Sequence, residues 1–393
     1  MSGLQLAILI GGTVLPSLLV SCVAAKFIRR RAAAWGLVDK PAARKVHAEP
    51  TPLGGGLAIW LGIVLPFAVG QLALWMWHVR AESSSTGLVD GSLMDFIRPH
   101  LPGLWAQASD LWVLLGLATV LMLLGLVDDR RGLDWRLRLL VQVAVAAAVV
   151  FGRGWKPAIF GSWPWLAGGI SLIWIVGLVN SFNMLDNMDG LSAGVGTIAA
   201  AMLAAVMLMV PDPQTHQPHL FVAGFLLVLV GSLLGFLWHN RPPARIFMGD
   251  AGSYFLGFSL ATIAMVATYA GGDLPRHAIL APICVLAVPL YDLCTVVWIR
   301  LRQGRSPFEA DKNHFSHRLV ELGLSKTQAV LTIYLLTATC GLGALLLHEV
   351  DQAGAVLIVL LVGCVLLLIG ILETAARRRG ERRGERNDVT PKR

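Results

Sequence analysis

The sequence predicts an all-α, polytopic integral membrane protein with about eleven transmembrane helices. Three observations lead to this prediction. The 393 residues are 56% hydrophobic with a mean hydropathy of +0.68, and only 14% of them are charged, whereas soluble domains carry about 25% charged residues. Apolar runs of about 18 residues or more recur along the chain. Basic residues are concentrated in alternate connections between these runs.

Eleven apolar runs account for the predicted helices. The first is followed, not preceded, by basic residues, which is the reverse of a signal peptide, so we expect a retained helix with an external N-terminus. The predicted spans are residues 4–25, 54–77, 111–127, 137–152, 165–179, 194–210, 220–238, 253–270, 279–299, 327–347 and 354–373. We therefore expect a membrane domain over 1–373 and a basic, disordered cytoplasmic tail over 374–393.

Charge placement predicts the orientation. With the N-terminus outside, 27 of the 32 Lys and Arg residues lie on cytoplasmic segments and five lie outside, as the positive-inside rule requires. This bias explains the net charge of +8, so we expect no nucleic-acid partner. The five cysteines lie in apolar runs without a Cys-x-x-Cys pair, which argues against a disulfide framework or a zinc site.

The first cytoplasmic connection is basic and leads into a glycine-rich helix start. Arg44, Lys45 and His47 precede Gly54-Gly55-Gly56. A helix N-terminus that glycine makes accessible favours anions. Positive-inside charge beside a tightly packed helix explains the pattern equally well, so both interpretations stay open.

Two adjacent carboxylates, Asp128 and Asp129, end the third apolar run. Acids at a helix C-terminus oppose the macrodipole, and neighbouring like charges make ionisation of both costly. The pair therefore needs a cation, which could be Arg130 or Arg131, a metal ion, or a proton on a reacting acid.

Polar side chains recur every three residues after the fifth run, at Asn180, Asn183, Asp186 and Asp189, in a connection without Lys or Arg. Residues three apart share a helix face, so one face would carry two amides and two carboxylates. An uncompensated acidic stripe at a membrane edge indicates a functional site.

A single carboxylate, Asp250, stands between Gly249 and Gly252 where the eighth span begins, after the double proline 242–243. Glycines there let phosphate oxygens approach backbone N–H groups. A plain N-cap aspartate is the alternative, although a cap does not explain two flanking glycines.

The last cytoplasmic connection combines histidine and arginine, which suit phosphate contact or proton transfer. It carries Arg305, His314, His317 and Arg318. Asp292, inside the ninth run, is a further functional candidate because buried acids in membrane helices are rarely neutral to function, although pairing with Arg300 or Arg302 is an alternative.

These residue types together favour phosphoryl transfer at the membrane surface. Several carboxylates beside glycine turns suit Mg²⁺ and a diphosphate, because Mg²⁺ is held by one or two carboxylates plus substrate phosphates. The chain contains neither a cysteine ligand set nor a serine nucleophile elbow.

Four motifs in order resemble those of the polyprenyl-phosphate N-acetylhexosamine-1-phosphate transferases, and of their GlcNAc branch above all. They are Asp128-Asp129, Asn180 to Leu191, Phe247-Met-Gly-Asp250-Ala-Gly-Ser253 and His314-x-x-His317-Arg-Leu319. The resemblance covers residues 36–320 and implies transfer of a HexNAc-1-phosphate from a UDP-sugar to undecaprenyl phosphate, releasing UMP. It also implies Mg²⁺, with Mn²⁺ as a substitute, and a bacterial cytoplasmic membrane with the active site facing the cytoplasm.

The resemblance also implies residue roles. Asp250 and Asp129 would bind the metal, and Asp128 would deprotonate or position the lipid phosphate. Asp186, Asp189 and His314 would complete the catalytic set. The expected substrate-binding residues are Arg44, Lys45, His47, Asn183, Phe247, Arg305, His317 and Arg318. The expected partners are the lipid, the UDP-sugar, the bilayer and a second copy of the chain.

Parts of the sequence are compatible with three other functions. A phospho-MurNAc-pentapeptide transferase stays within the family. A cation-coupled transporter would place polar residues near the middle of several spans, but the acids cluster in the cytoplasmic connections. An inactive scaffold for polysaccharide assembly would not need the complete aspartate set.

Overall fold

The computed structural model describes residues 2–39, 50–83, 101–155, 163–210, 218–269, 276–309, 311 and 313–388. Within these ranges the protein is almost entirely helical. The helices are α1 (Gly3–Arg31), α2 (Gly55–Ser83), α3 (Leu101–Arg131), α4 (Trp135–Ala147), α5 (Pro164–Leu185), α6 (Leu191–Met209), α7 (Leu220–Asn240), α8 (Gly249–Tyr269), α9 (Ala281–Val285), α10 (Ala287–Arg302), α11 (Phe315–Glu321), α12 (Lys326–Leu346) and α13 (Gln352–Asp388). A π-helical turn, Ala148–Gly152, extends α4, and a 3₁₀ turn, Arg276–Leu280, precedes α9.

Ten helices in the described ranges are long and apolar enough to cross a membrane. Each of them matches a predicted span, which confirms the all-α polytopic fold. The remaining predicted span, the ninth (279–299), consists of α9 and α10, which are separated at Leu286. Pro289 explains the break, because a proline lacks the N–H for a helical bond and its ring clashes with the carbonyl four residues earlier, here that of Val285.

Helix α8 lies at the centre of the fold. It packs against α2, α3, α5, α6 and α7, and 89% of the residues in its most apolar stretch are buried inside the protein. By contrast, only 11% of the residues in the corresponding stretch of α1 and 6% of those in α13 are buried. The outer surfaces of these two helices are rich in leucine and valine, as expected for surfaces that contact lipid. The central position of α8 places its N-terminus, and thus Asp250, among the ends of its neighbours.

Two short strands connect α1 to α2. β1 (Val38–Asp39) pairs antiparallel with β2 (Thr51–Pro52), with Val38 opposite Pro52. The carbonyl of Pro52 accepts a hydrogen bond from the N–H of Phe247 at 2.9 Å, and the carbonyl of Phe247 accepts one from Gly55 at 2.9 Å. The start of α2 is therefore fastened to the segment just before α8.

The backbone of α13 continues to Asp388. This differs from the prediction of a disordered tail beginning at residue 374. Alanine, arginine and glutamate dominate this segment, and all three have high helix propensity. A helix that leaves the apolar region can therefore continue through them.

Candidate functional site

The connections predicted to be cytoplasmic meet at one end of the helix bundle around a cleft of about 1880 Å³. The cleft collects side chains from five separate segments of the chain. They include Asp39, Asp128, Asp186, Asp250 and His314. The four motifs, which are up to 186 residues apart in the sequence from Asp128 to His314, therefore share one site.

Asp128 lies on the last turn of α3 and is almost fully buried. Its carboxylate accepts hydrogen bonds from Arg138 Nη1 at 2.8 Å, from Leu133 N at 2.6 Å and from Tyr254 Oη at 3.2 Å. Arg138 on α4, not Arg130 or Arg131, is thus the cation that offsets Asp128. A buried carboxylate needs such partners, since an unpaired buried charge is strongly destabilising.

Asp129 caps the N-terminus of α8 from the neighbouring helix α3. Its Oδ1 accepts from Asp250 N at 2.9 Å and its Oδ2 from Ala251 N at 3.3 Å. The cap requires a close approach of the two helices at glycines. A Cβ on Gly125 would lie 2.3 Å from the backbone of Asp250, and one on Gly249 would lie 2.5 Å from Asp129 Oδ2. Gly249 also adopts φ +71°, in the left-handed region.

The glycines around Asp250 therefore serve a different purpose from the predicted one. Asp129 occupies the N–H groups that were expected to be open to phosphate. Gly252 packs against Gly56, since a Cβ on Gly56 would lie 2.1 Å from Gly252 N. The alternative of a self-capping Asp250 also fails, because the cap comes from Asp129. The side chain of Asp250 stays available to the cleft.

Asp250 lies at the centre of the polar wall of the cleft, with 30% of its side chain exposed. Its Oδ1 accepts from Asn183 Nδ2 at 2.6 Å, and its Oδ2 lies 3.8 Å from Arg138 Nη1. Asn183 also donates to Ser253 Oγ at 3.1 Å. Asn183 thereby fixes one carboxylate oxygen of Asp250, and Arg138 lies between the carboxylates of Asp128 and Asp250.

Asp186 and Asp189 lie in the turn after α5, which ends at Leu185. The predicted single helix face is therefore wrong: Asn180 and Asn183 are helical, and Asp186 and Asp189 are not. The next helix, α6, starts after Gly190, which adopts the left-handed conformation with φ +75°. Asn180 contacts Gln142, at 2.7 Å, instead of the cleft carboxylates.

The two carboxylates of this turn have different surroundings. Burial raises the pKa of Asp186 to about 7, the charges of Asp129 and Asp189 add to the rise, and the N–H of Gly249 partly offsets it. Asp189 accepts from Ala244 N at 2.9 Å and so holds the segment before Phe247. Phe247 is half-buried and lines the cleft, as its predicted contact with substrate requires.

His314 precedes α11 and lines the cleft. Its Nδ1 lies 3.2 Å from Oδ2 of Asp292, so the partner of Asp292 is His314 and neither Arg300 nor Arg302. His317 also lines the cleft, with its ring centre 6.2 Å from that of His314. Ser316, between them, is buried and donates to Asn187 Oδ1 at 2.5 Å, which attaches α11 to the turn after α5.

Two arginines differ from their predicted substrate contact. Arg318 is 5% exposed and lies outside the cleft lining, because its guanidinium donates to Glu373 Oε2 at 3.0 Å, to Thr295 Oγ1 at 2.9 Å and to the carbonyl of Asn313. It connects α10, α11 and α13. Arg305 is also absent from the cleft lining, and it pairs with Glu309, a lining residue, at 2.7 Å.

One arm of the cleft is apolar and is lined by α4, α5 and α10. It leads to the Asp128–Arg138 pair. Its lining residues are Leu139, Val143, Leu172, Val176, Leu293 and Val297. An apolar groove that ends in charged groups suits a ligand with a long apolar chain and an anionic head.

Comparison with known proteins places the chain in a family. Residues 111–268, which contain three of the four motifs, match the glycosyl transferase family 4. A probable undecaprenyl-phosphate N-acetylglucosaminyl 1-phosphate transferase of Bacillus subtilis is 32% identical, over 85% of this chain and 83% of its own length. The chain belongs to glycosyl transferase family 4.

Two further relatives have the same extent of similarity. A decaprenyl-phosphate N-acetylglucosaminephosphotransferase of Mycobacterium tuberculosis is 33% identical, over 88% of this chain and 85% of its own length. An undecaprenyl-phosphate alpha-N-acetylglucosaminyl 1-phosphate transferase of Escherichia coli is 30% identical, over 79% of this chain and 77% of its own length. These relatives confirm the resemblance to the GlcNAc branch that the motifs predicted.

Family membership leaves the roles of single residues to be argued from this structure. Arg44, Lys45 and His47 lie outside the described residues. Arg138 was missed by sequence reasoning, although a charged residue inside an apolar run, ten positions after Asp128, is a usable signal. Tyr254 was missed as well, because a tyrosine in an apolar helix has no distinguishing pattern.

Proposed function

We propose that this protein transfers GlcNAc-1-phosphate from UDP-GlcNAc to undecaprenyl phosphate. The observation that carries the proposal is the cleft itself, in which an apolar arm lined by α4, α5 and α10 ends at Asp128, Arg138 and Asp250. The family relatives named as polyprenyl-phosphate N-acetylglucosamine transferases support the same reaction. An oxygen of the lipid phosphate attacks the β-phosphorus of the UDP-sugar. The bond from that phosphorus to the bridging oxygen breaks, and UMP leaves with this oxygen.

The lipid phosphate is assigned to Arg138. Its guanidinium lies where the apolar arm meets the polar wall, and 29% of its side chain is exposed. A guanidinium matches the geometry of phosphate oxygens. Asp128 accepts three hydrogen bonds, one of them from Arg138. These contacts favour positioning of Arg138 over deprotonation as the role of Asp128.

The residues present fit a Mg²⁺ ion held together with substrate phosphates. In the described ranges no three His, Cys, Asp or Glu side chains converge on a metal position, and Mg²⁺ needs only one or two carboxylates when a diphosphate supplies the rest. Asp250 is the stronger ligand candidate because Asn183 holds its Oδ1 and leaves Oδ2 toward the cleft. Asp129 is the weaker one, since both its oxygens accept backbone N–H groups. When bound, the ion would offset charge on the diphosphate.

The nucleotide is assigned to the opposite side of the cleft. Phe247 offers an aromatic face for uracil, and Asp189 holds the segment that carries it. His314 and His317 face the same space from α11 and its start. The active site then faces the cytoplasm, where UDP-sugars are made, and a homodimer stays a prediction.

A competition assay tests the sugar. Purified protein is incubated with undecaprenyl phosphate, Mg²⁺ and labelled UDP-GlcNAc, and both labelled lipid and UMP are measured. Unlabelled UDP-GlcNAc should abolish labelling, and unlabelled UDP-MurNAc-pentapeptide should not. If the pentapeptide nucleotide competes equally and is itself transferred, the alternative activity replaces the proposed one. If no UDP-HexNAc yields labelled lipid, the transferase proposal fails.

A further inference from the structure

Asp292 on α10 is a buried carboxylate that the four family motifs do not include. It is 1% exposed. Its Oδ1 accepts from Phe315 N at 2.6 Å, and its Oδ2 faces His314 Nδ1 at 3.2 Å. Both oxygens therefore contact the start of α11. A cap on α11 would need only one oxygen, and the second one is directed at a histidine of the cleft.

The contact determines how the His314 ring is presented. An ionised carboxylate only accepts hydrogen bonds, so Nδ1 of His314 must carry a hydrogen to make this contact. Nδ1 is then occupied on the buried side, and Nε2 is the nitrogen left for the cleft that His314 lines. The orientation of the ring is thus fixed by a residue that does not itself line the cleft.

The neighbouring charged side chains pair with one another and leave His314 as the basic partner of Asp292. Arg318 pairs with Glu373 at 3.0 Å, and Tyr291 donates to the same carboxylate. Arg300 pairs with Asp311 through two bonds of 3.0 and 3.1 Å. Burial alone would raise the pKa of Asp311, but the hydrogen bonds from Arg300 and Asn313 bring it down to about 2.

No lysine or arginine within the described ranges makes an ion pair with Asp292. The other ionisable ring facing His314 is that of His317, 6.2 Å away between ring centres. His314 is therefore the basic side chain in contact with the buried carboxylate. A buried contact of this kind is stable only when both partners remain in place.

We propose that Asp292 is a positioning residue that holds the His314 ring with Nε2 toward the cleft, so that His314 contacts a phosphate oxyanion there. The oxyanion belongs to the UDP-sugar diphosphate, so this step rests on the proposed function. The arrangement is that of a carboxylate orienting a functional histidine from behind, where loss of the carboxylate typically costs about 10- to 100-fold in affinity or activity.

A double-mutant cycle tests whether Asp292 acts through His314. Asp292→Asn, His314→Gln and the double variant are compared with wild type for kcat and KM. Asp292→Asn should lower kcat roughly 10- to 100-fold with a smaller change in KM, and the double variant should be no slower than His314→Gln alone. Asp292→Glu should recover part of the loss, since it keeps an acceptor. Losses that multiply in the double variant, or an unchanged kcat in Asp292→Asn, would overturn the proposal.

Asp110→Asn is the matched control. Asp110 is an acid at the other end of α3, paired with Arg153 and remote from the cleft lining. The same change of carboxylate to amide there should leave kcat unchanged. Melting temperatures of all variants separate loss of folding from loss of turnover, and the Asp292→Glu variant gives an answer even if Asp292→Asn does not fold.

A chemical measurement keeps the inference testable if the wild type transfers no sugar. Diethyl pyrocarbonate attacks the unprotonated imidazole nitrogen, and mass spectrometry gives the modification rate of each histidine at pH 7. Asp292→Asn should change the rate at His314 several-fold relative to His317, because the ring loses the contact that fixes its Nδ1 hydrogen and its orientation. Equal rates in wild type and Asp292→Asn would overturn the inference independently of the sugar assay.

Discussion

At the scale of single residues, Arg138 connects the apolar part of the cleft to the carboxylates of its polar wall. It bonds Asp128 at 2.8 Å, lies 3.4 Å from Tyr254 Oη, and approaches Asp250 to 3.8 Å. Two carboxylates share this one guanidinium. A further cation would therefore assist the entry of two phosphates, which agrees with the proposed Mg²⁺.

Replacing Arg138 tests its assignment. Arg138→Ala should lower kcat/KM about 100-fold, because it removes the phosphate contact and leaves the carboxylate of Asp128 buried without a cation. Arg136→Ala is the control: Arg136 is exposed on the same helix and lies over the Trp135 ring at 5.5 Å. A similar loss in both variants would mean that general positive charge, not Arg138, matters.

The sequence located most of the site residues but not their contacts. Asp128, Asn183, Asp250 and His314 were found because polar residues at the ends of apolar spans are costly unless functional. Arg318 was misread, since a short sequence segment does not reveal which side of a seven-residue helix faces the cleft. Its contacts with α10 and α13 come from tertiary packing.

At the scale of secondary-structure elements, the contact between α3 and α8 positions the carboxylates. Gly125 allows the backbone of α3 to approach that of α8 at Asp250. Asp129 then reaches the N-terminus of α8, where an anion is favoured by the helix dipole. The glycine and the aspartate therefore act together in holding Asp250 in place.

A pair of alanine substitutions on α3 tests this contact. A Cβ at Gly125 would lie within 2.4 Å of the Asp250 and Ala251 backbone, whereas one at Gly116 meets nothing within 4 Å. Gly125→Ala should lower the melting temperature, by overpacking worth about 1–3 kcal/mol, and should abolish most transfer. Gly116→Ala should preserve both. Wild-type activity in Gly125→Ala would show that the close approach is unnecessary.

Element boundaries were predictable wherever apolar length decides them. Ten spans follow directly from run lengths, whereas the division of 279–299 into α9 and α10 depends on Pro289. That proline is visible in the sequence, and its backbone consequence could have been inferred. The end of α5 at Leu185 could not, because the three-residue spacing of the following polar residues imitates a helix.

At the scale of the whole molecule, the back-and-forth course of the chain through the membrane explains how distant motifs meet. Two predicted spans separate each motif from the next one, so all four motifs reach the same face. The structure gathers them around a single cleft. The side of the membrane on which this face lies is a separate expectation, based on the distribution of Lys and Arg.

Cysteine labelling tests the orientation. In a background without the five native cysteines, Arg131→Cys reports on the cleft face and Glu349→Cys on the connection between α12 and α13; both positions are exposed. An impermeant maleimide should label Glu349→Cys in intact cells, and Arg131→Cys only in inverted vesicles. The opposite pattern would place the active site outside and contradict the cytoplasmic assignment.

The most direct test of the central claim is sugar-phosphate transfer by the wild type and Asp250→Asn, with Asp110→Asn as control. Labelled UDP-GlcNAc and undecaprenyl phosphate are supplied over a range of Mg²⁺ concentrations, and labelled lipid is counted. Wild type and the control should form the lipid product only with Mg²⁺, and Asp250→Asn should form it roughly 100-fold more slowly or not at all. Equal rates in Asp250→Asn and wild type would contradict the placement of the reaction in this cleft.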